Sequence, residues 1–395
     1  MNALTKNFLI SKFREYYLES SLETPPGMEA REWGFILFDD IGMRRHKSFL
    51  TRGELADYVR SMVPAHLYHS AAYYERPGAP TMKEKIWRGA DLIFDLDADH
   101  LRKAPKSYSE MLDLVKKETL KLLGFLTADF GFAEKNLSVV FSGGRGYHIH
   151  VRDPRVLTIG SDERRDIVDY LTGRGLDIER LRFNVVLSGD TGDDKVRALR
   201  CPSTNSPGWG GRFNDAVVRF AEEIRGMDEK SAVTRLTEIK SIGKVRALDF
   251  HEGIKNDRVL DDIRSGNLDS LKNVQGIWKY IIENYLAEEF VQVLGGETDE
   301  PVTADVRRLI RCPGSLHGGS GLRVTPLTHQ SLEDFDPLQD AVVFGDEPVP
   351  LEMQKPFSTQ MRGQSYQLAE GDAEVPMHLA VFLMARGVAE ARAKF

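Results

Sequence analysis

The sequence predicts a mixed α/β fold (α+β), and three observations support that prediction. From Trp33 to Val151, short apolar runs with strand periodicity alternate with a longer segment of helical periodicity. Helical patterns then dominate from about residue 161 to residue 290, and strand-like sequence returns after Gly295. A discontinuous α/β domain (1–160 and 291–395) with a mainly helical insertion (161–290) explains this order better than three sequential domains.

The expected elements follow this order along the chain. They are an amphipathic N-terminal helix at 1–17, strands at 34–38 and 91–97, a helix at 106–126, strands at 137–142 and 147–151, several helices within 161–290 interrupted by a loop at 200–213, and a C-terminal helix at 375–393.

Composition limits the class of protein. Of the 395 residues, 41% are hydrophobic and 29% charged, which suits a globular protein and excludes a disordered chain or a coiled-coil rod. The net charge of −7 means that nucleic-acid binding would need local basic patches. Cys201 and Cys312 are too few for a disulfide framework or a four-ligand zinc site, so we expect a cytoplasmic protein without structural zinc. The apolar run at 379–385 is far shorter than the roughly 20 residues that cross a bilayer, so we expect no membrane association.

Paired carboxylates mark the strand expected at 91–97. Side chains alternate between faces along a strand, so Asp95 and Asp97 share one face while the apolar residues point to the other. At about 3.3 Å per residue the carboxylates lie roughly 6.6 Å apart, and at an effective dielectric of about 20 they repel by on the order of 2.5 kcal/mol. A divalent cation that prefers oxygen ligands, Mg²⁺ or Mn²⁺, would offset that repulsion. The alternative is a strand that ends in a solvated acidic loop with Asp99.

A glycine-rich turn, FSGGRGYHIHV at 141–151, joins the next two expected strands. Its glycines allow the backbone to approach a ligand closely, and Arg145 presents a planar fork of donors suited to phosphate oxygens. His148 and His150 share one strand face. This pattern fits a polyphosphate site. The alternative is a tight hairpin with half-buried histidines, and zinc is a weaker interpretation because two histidines need a third ligand.

Two further segments are rich in charge. Residues 298–324 contain Asp299, Asp305, a cluster of arginines, and Ser315 and His317 before a glycine-rich turn whose amides could face an anion. The simplest interpretation of these arginines (Arg307, Arg308 and Arg311) is a solvated helix face. Residues 31–49 contain the basic run RRHK, which is usually a solvated turn but beside a phosphate site could hold a nucleotide or a template.

Together these segments resemble the catalytic small subunit of archaeal and eukaryotic DNA primase, in its archaeal form. The matching stretches are REWGFILFDD, the run from HLYHSAAYYERP to MKEKIWRGADLIFDLDADH, SGGRGYHIHV and VTADVRRLIRCPGSLHG, in the family's order over roughly residues 20–325. The resemblance implies a primase catalytic domain with an RRM-like sheet element and an inserted helical part. It also implies a role in DNA replication: template-directed synthesis of short RNA, and possibly DNA, primers on single-stranded DNA by two-metal nucleotidyl transfer.

The resemblance further implies roles for individual residues. The family's metal-binding catalytic carboxylates correspond to Asp95, Asp97 and Asp299, which would hold Mg²⁺ or Mn²⁺. The nucleotide-binding residues correspond to Ser142, Arg145, His148, His317 and Arg44, with Arg45 as an adjacent alternative to Arg44. The implied partners are a primase large subunit, a single-stranded DNA template and nucleoside triphosphates.

The chain departs from the family pattern in two places. Many archaeal members carry a Cys/His zinc knuckle after the paired aspartates, whereas residues 100–130 contain no cysteine. The family often has a lysine in an HGKTG sequence, whereas this chain has HGGSG at 317–321. A phosphate contact from that lysine is therefore missing or supplied from elsewhere.

Two alternative functions remain at this stage. A repair or plasmid-type primase-polymerase on the same scaffold would extend existing ends but would make no product on an unprimed template. A non-catalytic RRM-like module would bind single-stranded nucleic acid through stacked aromatic side chains. The Asp95 and Asp97 pair disfavours the second alternative, because carboxylates on the binding face repel phosphates unless a metal intervenes.

Overall fold

The structure is a computed structural model that describes residues 1–100, 105, 107–188, 196–271, 274, 276–286 and 298–392. The chain forms two compact units. The first comprises Met1–Thr127, Phe132–Val168 and Glu297–Phe395, and the second comprises Ala128–Gly131 and Asp169–Gly296. The predicted boundary at 290/291 lies outside the described residues, so the division of the chain into 1–160 with 291–395 and 161–290 stays a prediction.

Helices and strands are interspersed along the chain, which confirms the predicted mixed α/β class. The strands are β1 (Trp33–Ile36), β2 (Arg44–Lys47), β3 (His66–Ser70), β4 (Ala72–Tyr74), β5 (Trp87–Ala90), β6 (Leu92–Asp97), β7 (Leu137–Phe141), β8 (Gly146–Val151), β9 (Phe183–Ser188), β10 (Val196–Arg200), β11 (Leu309–Arg311), β12 (Thr325–Leu327), β13 (Pro348–Met353), β14 (Phe357–Met361), β15 (Gln364–Leu368), β16 (Gly371–Pro376) and β17 (Ala389–Ala391).

The helices are α1 (Ala3–Glu19), α2 (Arg52–Met62), α3 (Met82–Lys85), α4 (Tyr108–Ala128), α5 (Ser161–Thr172), α6 (Gly208–Gly226), α7 (Glu229–Thr237), α8 (Lys244–Ile254), α9 (Asp257–Arg264), α10 (Ile277–Ile281), α11 (Glu300–Ala304), α12 (His329–Asp334), α13 (Pro337–Asp340) and α14 (Met377–Ala385). Helix α10 continues as a π-helical turn over Ile282–Leu286. Within the described part of the chain, no helix combines the length and apolar character needed to cross a membrane.

Two antiparallel four-stranded sheets organise the first unit. The first sheet has the order β12-β7-β8-β6, and the second has the order β11-β3-β1-β2. Ile93 of β6, Ile310 of β11 and Val302 of α11 belong to one buried apolar cluster with Ala71. Each buried isoleucine contributes about 1.5–3 kcal/mol relative to an exposed side chain. This cluster holds β11 beside β6 and so determines which side chains surround the exposed end of β6.

The elements that carry the charged motifs form where local pattern predicts them. Strands β6, β7 and β8 and helix α4 lie within a few residues of their expected bounds. Along β6 the apolar residues are buried, whereas Asp95 and Asp97 are half-buried. Helix α4 buries an apolar stripe at helical spacing, including Leu112, Val115 and Leu122. Helical and strand periodicity was therefore sufficient for this part of the fold.

The C-terminal helix is shorter than its sequence predicts. The expectation of a helix over 375–393 is wrong, because α14 ends at Ala385 and residues 389–391 form strand β17 instead. Gly387 adopts a left-handed conformation with φ 68°, which ends the helix. Strand β17 then pairs with β13. The spacing of the apolar residues alone does not predict that the helix ends at this glycine.

The second unit contains helices α6–α10 and a β-hairpin. Buried aromatic residues of α6, α8 and α10 meet in its core, where Trp278 packs edge-on against Phe250 at 5.3 Å between ring centroids and against Phe220 at 6.2 Å. Strands β9 and β10 pair in an antiparallel hairpin that helical periodicity did not predict. The expected loop at 200–213 is also too long, since α6 begins at Gly208.

Candidate active site

The carboxylates of Asp95 and Asp97 emerge from the same face of β6, as strand alternation predicts. In the ladder with β8, Asp95 lies opposite His148 and Asp97 lies opposite Gly146. Their side chains are 21% and 32% exposed, respectively, and both line a cavity of about 420 Å³. Two acidic side chains that are neither buried nor fully solvated therefore face the same open space.

The turn between β7 and β8 depends on glycine at two positions. A side chain at Gly146 would place its Cβ 2.0 Å from the carbonyl oxygen of Leu96, which strand pairing forbids. Gly143 has φ +75°, and a Cβ there would lie 2.7 Å from the Cβ of His317. These contacts let the turn pack directly on the loop that carries His317. The Ser142 hydroxyl accepts hydrogen bonds from the Gly144 and Gly146 amides, each at 3.3 Å.

Arg145 bridges the acidic residues at the mouth of the cavity. Its two terminal nitrogens donate to the Asp99 carboxylate at 2.8 and 2.6 Å, and one of them lies 3.3 Å from Asp97. The hydrogen bond to Asp99 is the leading cause that raises the pKa of Arg145. Because both Arg145 and Asp99 are about half-exposed or more, their ion pair is weak, and a phosphate would offer Arg145 the same bidentate geometry.

His148 faces Asp95 from the neighbouring strand. Its Nε2 lies 3.4 Å from the Asp95 carboxylate, and its Nδ1 has no hydrogen-bond partner. Burial, reinforced by the positive charge of Arg311, lowers the pKa of His148 to about 3. The imidazole is therefore neutral at physiological pH, so His148 offers a hydrogen-bond donor and no positive charge to a nucleotide.

Strand β11 forms the opposite wall of the cavity and contributes a half-buried arginine. The Arg311 guanidinium lies 5.1 Å from the centre of the Tyr68 ring and 2.7 Å from Nδ1 of His66. Burial lowers the pKa of Arg311, while Tyr68, Asp95 and Asp97 oppose that effect. The expectation that the arginines at 307–311 lie on a solvated helix face is wrong, because the residues from Leu309 onward form a strand.

His317 completes the site from the loop that precedes β12. Its ring meets the His66 ring edge-on, with 4.9 Å between centroids, and its Nδ1 accepts the Gly319 amide at 3.2 Å. Burial holds the pKa of His317 well below its usual range, and Arg311 lowers it further. His317 is thus a second neutral imidazole on the cavity wall.

The other two sequence-predicted site residues are not among those that line the cavity. Asp299 caps α11, and its backbone amide donates to the Asp95 carbonyl at 3.0 Å. This contact covers the edge of β6, since β6 is the last strand of its sheet. Arg44 lies on β2 with an exposed side chain, and its Nε pairs with the Asp40 carboxylate at 2.7 Å. The assignments of Asp299 and Arg44 therefore stay predictions.

The donor set fits a divalent cation in part. Asp95 and Asp97 offer hard carboxylate oxygens on one strand face, which suits Mg²⁺ or Mn²⁺. In the described ranges, no cluster of three or more His, Cys, Asp or Glu side chains is placed to hold a metal. The two carboxylates would therefore need oxygen ligands from a phosphate, from water or from a rearranged Asp299 side chain.

Four arginines and two aspartates line the cavity, so its wall carries more positive than negative charge. Sequence reasoning did not select four of the large polar side chains that line the cavity, which are Tyr68, Arg308, Arg311 and Arg386. Tyr68 belongs to the run HLYHS, in which the buried Leu67 lies between two less buried residues; this alternation is typical of a strand and could have predicted β3. Arg386 follows α14, about 290 positions after Asp95 in sequence, and no local pattern connects the two.

Comparison with known proteins gives one consistent family. A family model described as DNA primase small subunit matches residues 94–329. A protein named DNA primase small subunit PriS from Methanothrix thermoacetophila is 57% identical over 394 residues, which cover 99% of this chain and 100% of the relative. Proteins of the same name from Methanococcoides burtonii and Methanosarcina acetivorans are 49% and 45% identical, over 99% of this chain and 99% and 97% of the relatives.

Proposed function

Because the chain belongs to the DNA primase small-subunit family and is the catalytic subunit of a primase, we propose that its cavity joins nucleotides into primers by metal-assisted nucleotidyl transfer. One observation supports the location above all: Asp95 and Asp97 face a wall of guanidinium and imidazole groups across a single cavity. Carboxylates suit cations and the opposite wall suits phosphate, so a metal–triphosphate complex fits both sides.

Asp95 and Asp97 are the residues that would hold Mg²⁺ or Mn²⁺, with Asp299 as the third carboxylate. A bound divalent cation would supply Lewis-acid chemistry at the phosphate. The carboxylates already repel each other and are only partly desolvated, which leaves their oxygens accessible to a cation.

The phosphate-binding groups act through distinct chemistry. Arg145 would exchange its hydrogen bonds with Asp99 for hydrogen bonds with phosphate oxygens, since both acceptors take its planar fork. Arg311 contributes a positive charge that interacts with the Asp95 and Asp97 carboxylates. His148 and His317 stay neutral and contribute hydrogen bonds, and the Ser142 hydroxyl keeps its proton available because it accepts from two amides.

In the reaction the 3′-hydroxyl oxygen of one nucleotide bonds to the α-phosphorus of another, and the bond to the leaving pyrophosphate breaks. The hydroxyl proton passes to solvent, and we assign no general base. Arg145 and Arg311 would stabilise the negative charge that moves onto the leaving pyrophosphate. At initiation the attacking hydroxyl belongs to a second bound nucleotide.

The name small subunit indicates a larger partner subunit. We propose that this partner is a primase large subunit and that the complex copies single-stranded DNA with nucleoside triphosphates. The acidic net charge of the chain, −7, is consistent with a partner that contributes to template binding.

The test is incubation of the purified chain, alone and with the large subunit, with unprimed single-stranded DNA, labelled nucleotides and Mg²⁺ or Mn²⁺. We expect short de novo products that disappear with a chelator. Products made only from a pre-annealed primer would instead indicate an end-extending polymerase. Template binding without incorporation under every metal condition would reject the proposal.

A further inference from the structure

We infer that Arg386 is a nucleotide-binding residue that recognises the terminal phosphates of the incoming triphosphate; this inference rests on the proposed function. Arg386 lies outside residues 94–329, the segment that the family model matches, and outside every motif in the sequence. It nevertheless lines the same cavity as Asp95 and Asp97. The C-terminal part of the chain thus contributes directly to the site.

The Arg386 guanidinium is held in place by aromatic rings. It lies 4.0 Å from the centre of the Tyr108 ring and 4.6 Å from the centre of the Phe382 ring. The Tyr108 hydroxyl donates a hydrogen bond to the carbonyl of Gly144 in the turn between β7 and β8. Arg386, Tyr108 and this turn therefore form a connected unit, which fixes the guanidinium plane before any ligand arrives.

Within the part of the chain that the structure describes, no ion pair neutralises the charge of Arg386. Among the described residues no carboxylate lies within 4.0 Å of it, and its buried Nε has no hydrogen-bond partner. Arg362, another arginine of the C-terminal part of the chain, pairs with Asp346 at 3.0 Å instead. A half-buried cation with an unsatisfied donor, facing a polar cavity, is a binding group for an anion.

The surroundings of Arg386 indicate which phosphate it contacts. His148 faces the Asp95 carboxylate at 3.4 Å, so it marks the end of the cavity where the cation and the α-phosphate would lie. Arg386 instead lies over the Tyr108 ring at 4.0 Å, and the Tyr108 hydroxyl donates to the Gly144 carbonyl. It therefore lies on the side of the glycine-rich loops, toward which the rest of the triphosphate extends.

The position of Arg386 also bears on the glycine-rich loop HGGSG at 317–321, because that loop provides no lysine or arginine side chain. Gly319 and Ser320 line the cavity with Arg386. A guanidinium from the end of α14 thus supplies positive charge where the loop contributes only amides, a serine hydroxyl and His317.

The experiment measures the affinity of the full chain for ATP, ADP and AMP in the presence of Mn²⁺, by equilibrium titration. In Arg386→Gln we expect the Kd for ATP to rise about tenfold, as for the loss of one charge-assisted contact, with a smaller rise for ADP and no change for AMP. Arg386→Lys should recover part of the ATP affinity. Arg362→Gln, the matched control, should leave all three Kd values unchanged.

An unchanged Kd for ATP, or equal losses for ATP and AMP, would overturn the inference. If Arg386→Gln fails to fold, the aromatic contacts provide a second test. Tyr108→Leu should weaken the binding of ATP more than the binding of AMP. Tyr108→Phe, which retains the ring, should weaken the binding of ATP less than Tyr108→Leu does. Equal effects of the two substitutions on the Kd for ATP would count against the inference. Failure of the proposed function gives a different result, namely a wild-type chain that binds ATP and incorporates no nucleotide.

Discussion

The two ends of strand β6 carry aspartates with opposite surroundings. Asp91, directly before the strand, is 1% exposed and accepts hydrogen bonds from Arg31 at 2.9 Å, Arg152 at 3.1 Å and the Tyr73 hydroxyl at 2.8 Å. Asp97, at the other end, is 32% exposed and lies 3.3 Å from Arg145. The same residue type at the two ends of one strand therefore serves two different purposes.

The difference shows how burial and partners separate a structural carboxylate from a functional one. Asp91 is saturated by fixed donors, because Arg31 is itself fully buried and stacks over Tyr73 at 4.0 Å. A cation has no route to such a carboxylate and nothing to gain there. Asp97 keeps oxygens accessible to solvent, and its nearest guanidinium is also half-exposed and exchangeable. Substitution at the two ends should therefore have opposite consequences.

The largest expected effect is a loss of nucleotide incorporation when an aspartate at the exposed end of β6 is substituted. Asp95→Asn and Asp97→Asn should each lower incorporation by at least about a thousandfold, because each removes one of the paired charges that would hold the cation. Stability should stay the same or rise slightly, since one like-charge repulsion disappears. Primer synthesis and thermal unfolding, measured on the same preparations, check both parts. A folded variant with near-normal incorporation would contradict the metal assignment.

Asp299 extends the comparison to a second element at the same end of β6. Asp299→Asn should lower incorporation by at least about a hundredfold if its carboxylate completes the metal site. Asp305→Asn is the control, since the Asp305 carboxylate accepts the Arg307 amide at 2.9 Å in an exposed turn and should be largely dispensable for activity. The reverse ranking in the same incorporation assay would transfer the role to Asp305.

Asp91→Asn should show the reverse pattern, a loss of stability. Removing the buried charge leaves the Arg31 guanidinium uncompensated, and we expect the free energy of unfolding to fall by about 3–5 kcal/mol. Equilibrium unfolding in urea measures this free energy. Asp162→Asn, in an exposed pair with Arg165, is the control and should change stability by less than about 1 kcal/mol. Equal stability of the two variants would show that burial does not distinguish these aspartates.

The smallest expected effects concern the side chains assigned to nucleotide binding. Arg145→Ala should raise the apparent KM for nucleotide about tenfold, with some loss of rate, because a charge-assisted contact to phosphate is removed. His148→Ala should raise the apparent KM less, since a neutral imidazole contributes an uncharged hydrogen bond.

Arg44→Ala tests the remaining assignment: a raised KM would support it, whereas unchanged steady-state kinetics would restrict Arg44 to its exposed pair with Asp40.

Much of the fold and part of the site could be predicted from sequence, because those features depend on neighbouring residues. The alternation of DLIFDLD places Asp95 and Asp97 on one face whatever packs around the strand. The hairpin at 137–151 forms as predicted, because its strands and its glycine-rich turn are adjacent in the chain. The C-terminal helix was predicted too long because Gly387 ends it through a left-handed backbone conformation, and the spacing of apolar residues carries no information about that conformation.

The sequence by itself determined the mixed α/β class, the paired carboxylates and the glycine-rich turn, since each is written in a contiguous run of residues. Only the tertiary structure decided which cations face those carboxylates. Arg311 reaches the cavity through the pairing of β11 with β3, and Arg386 reaches it through the packing of the chain end near Tyr108. The physical reason is that register and packing between distant segments are set by the shared core, which a local pattern of charge does not encode.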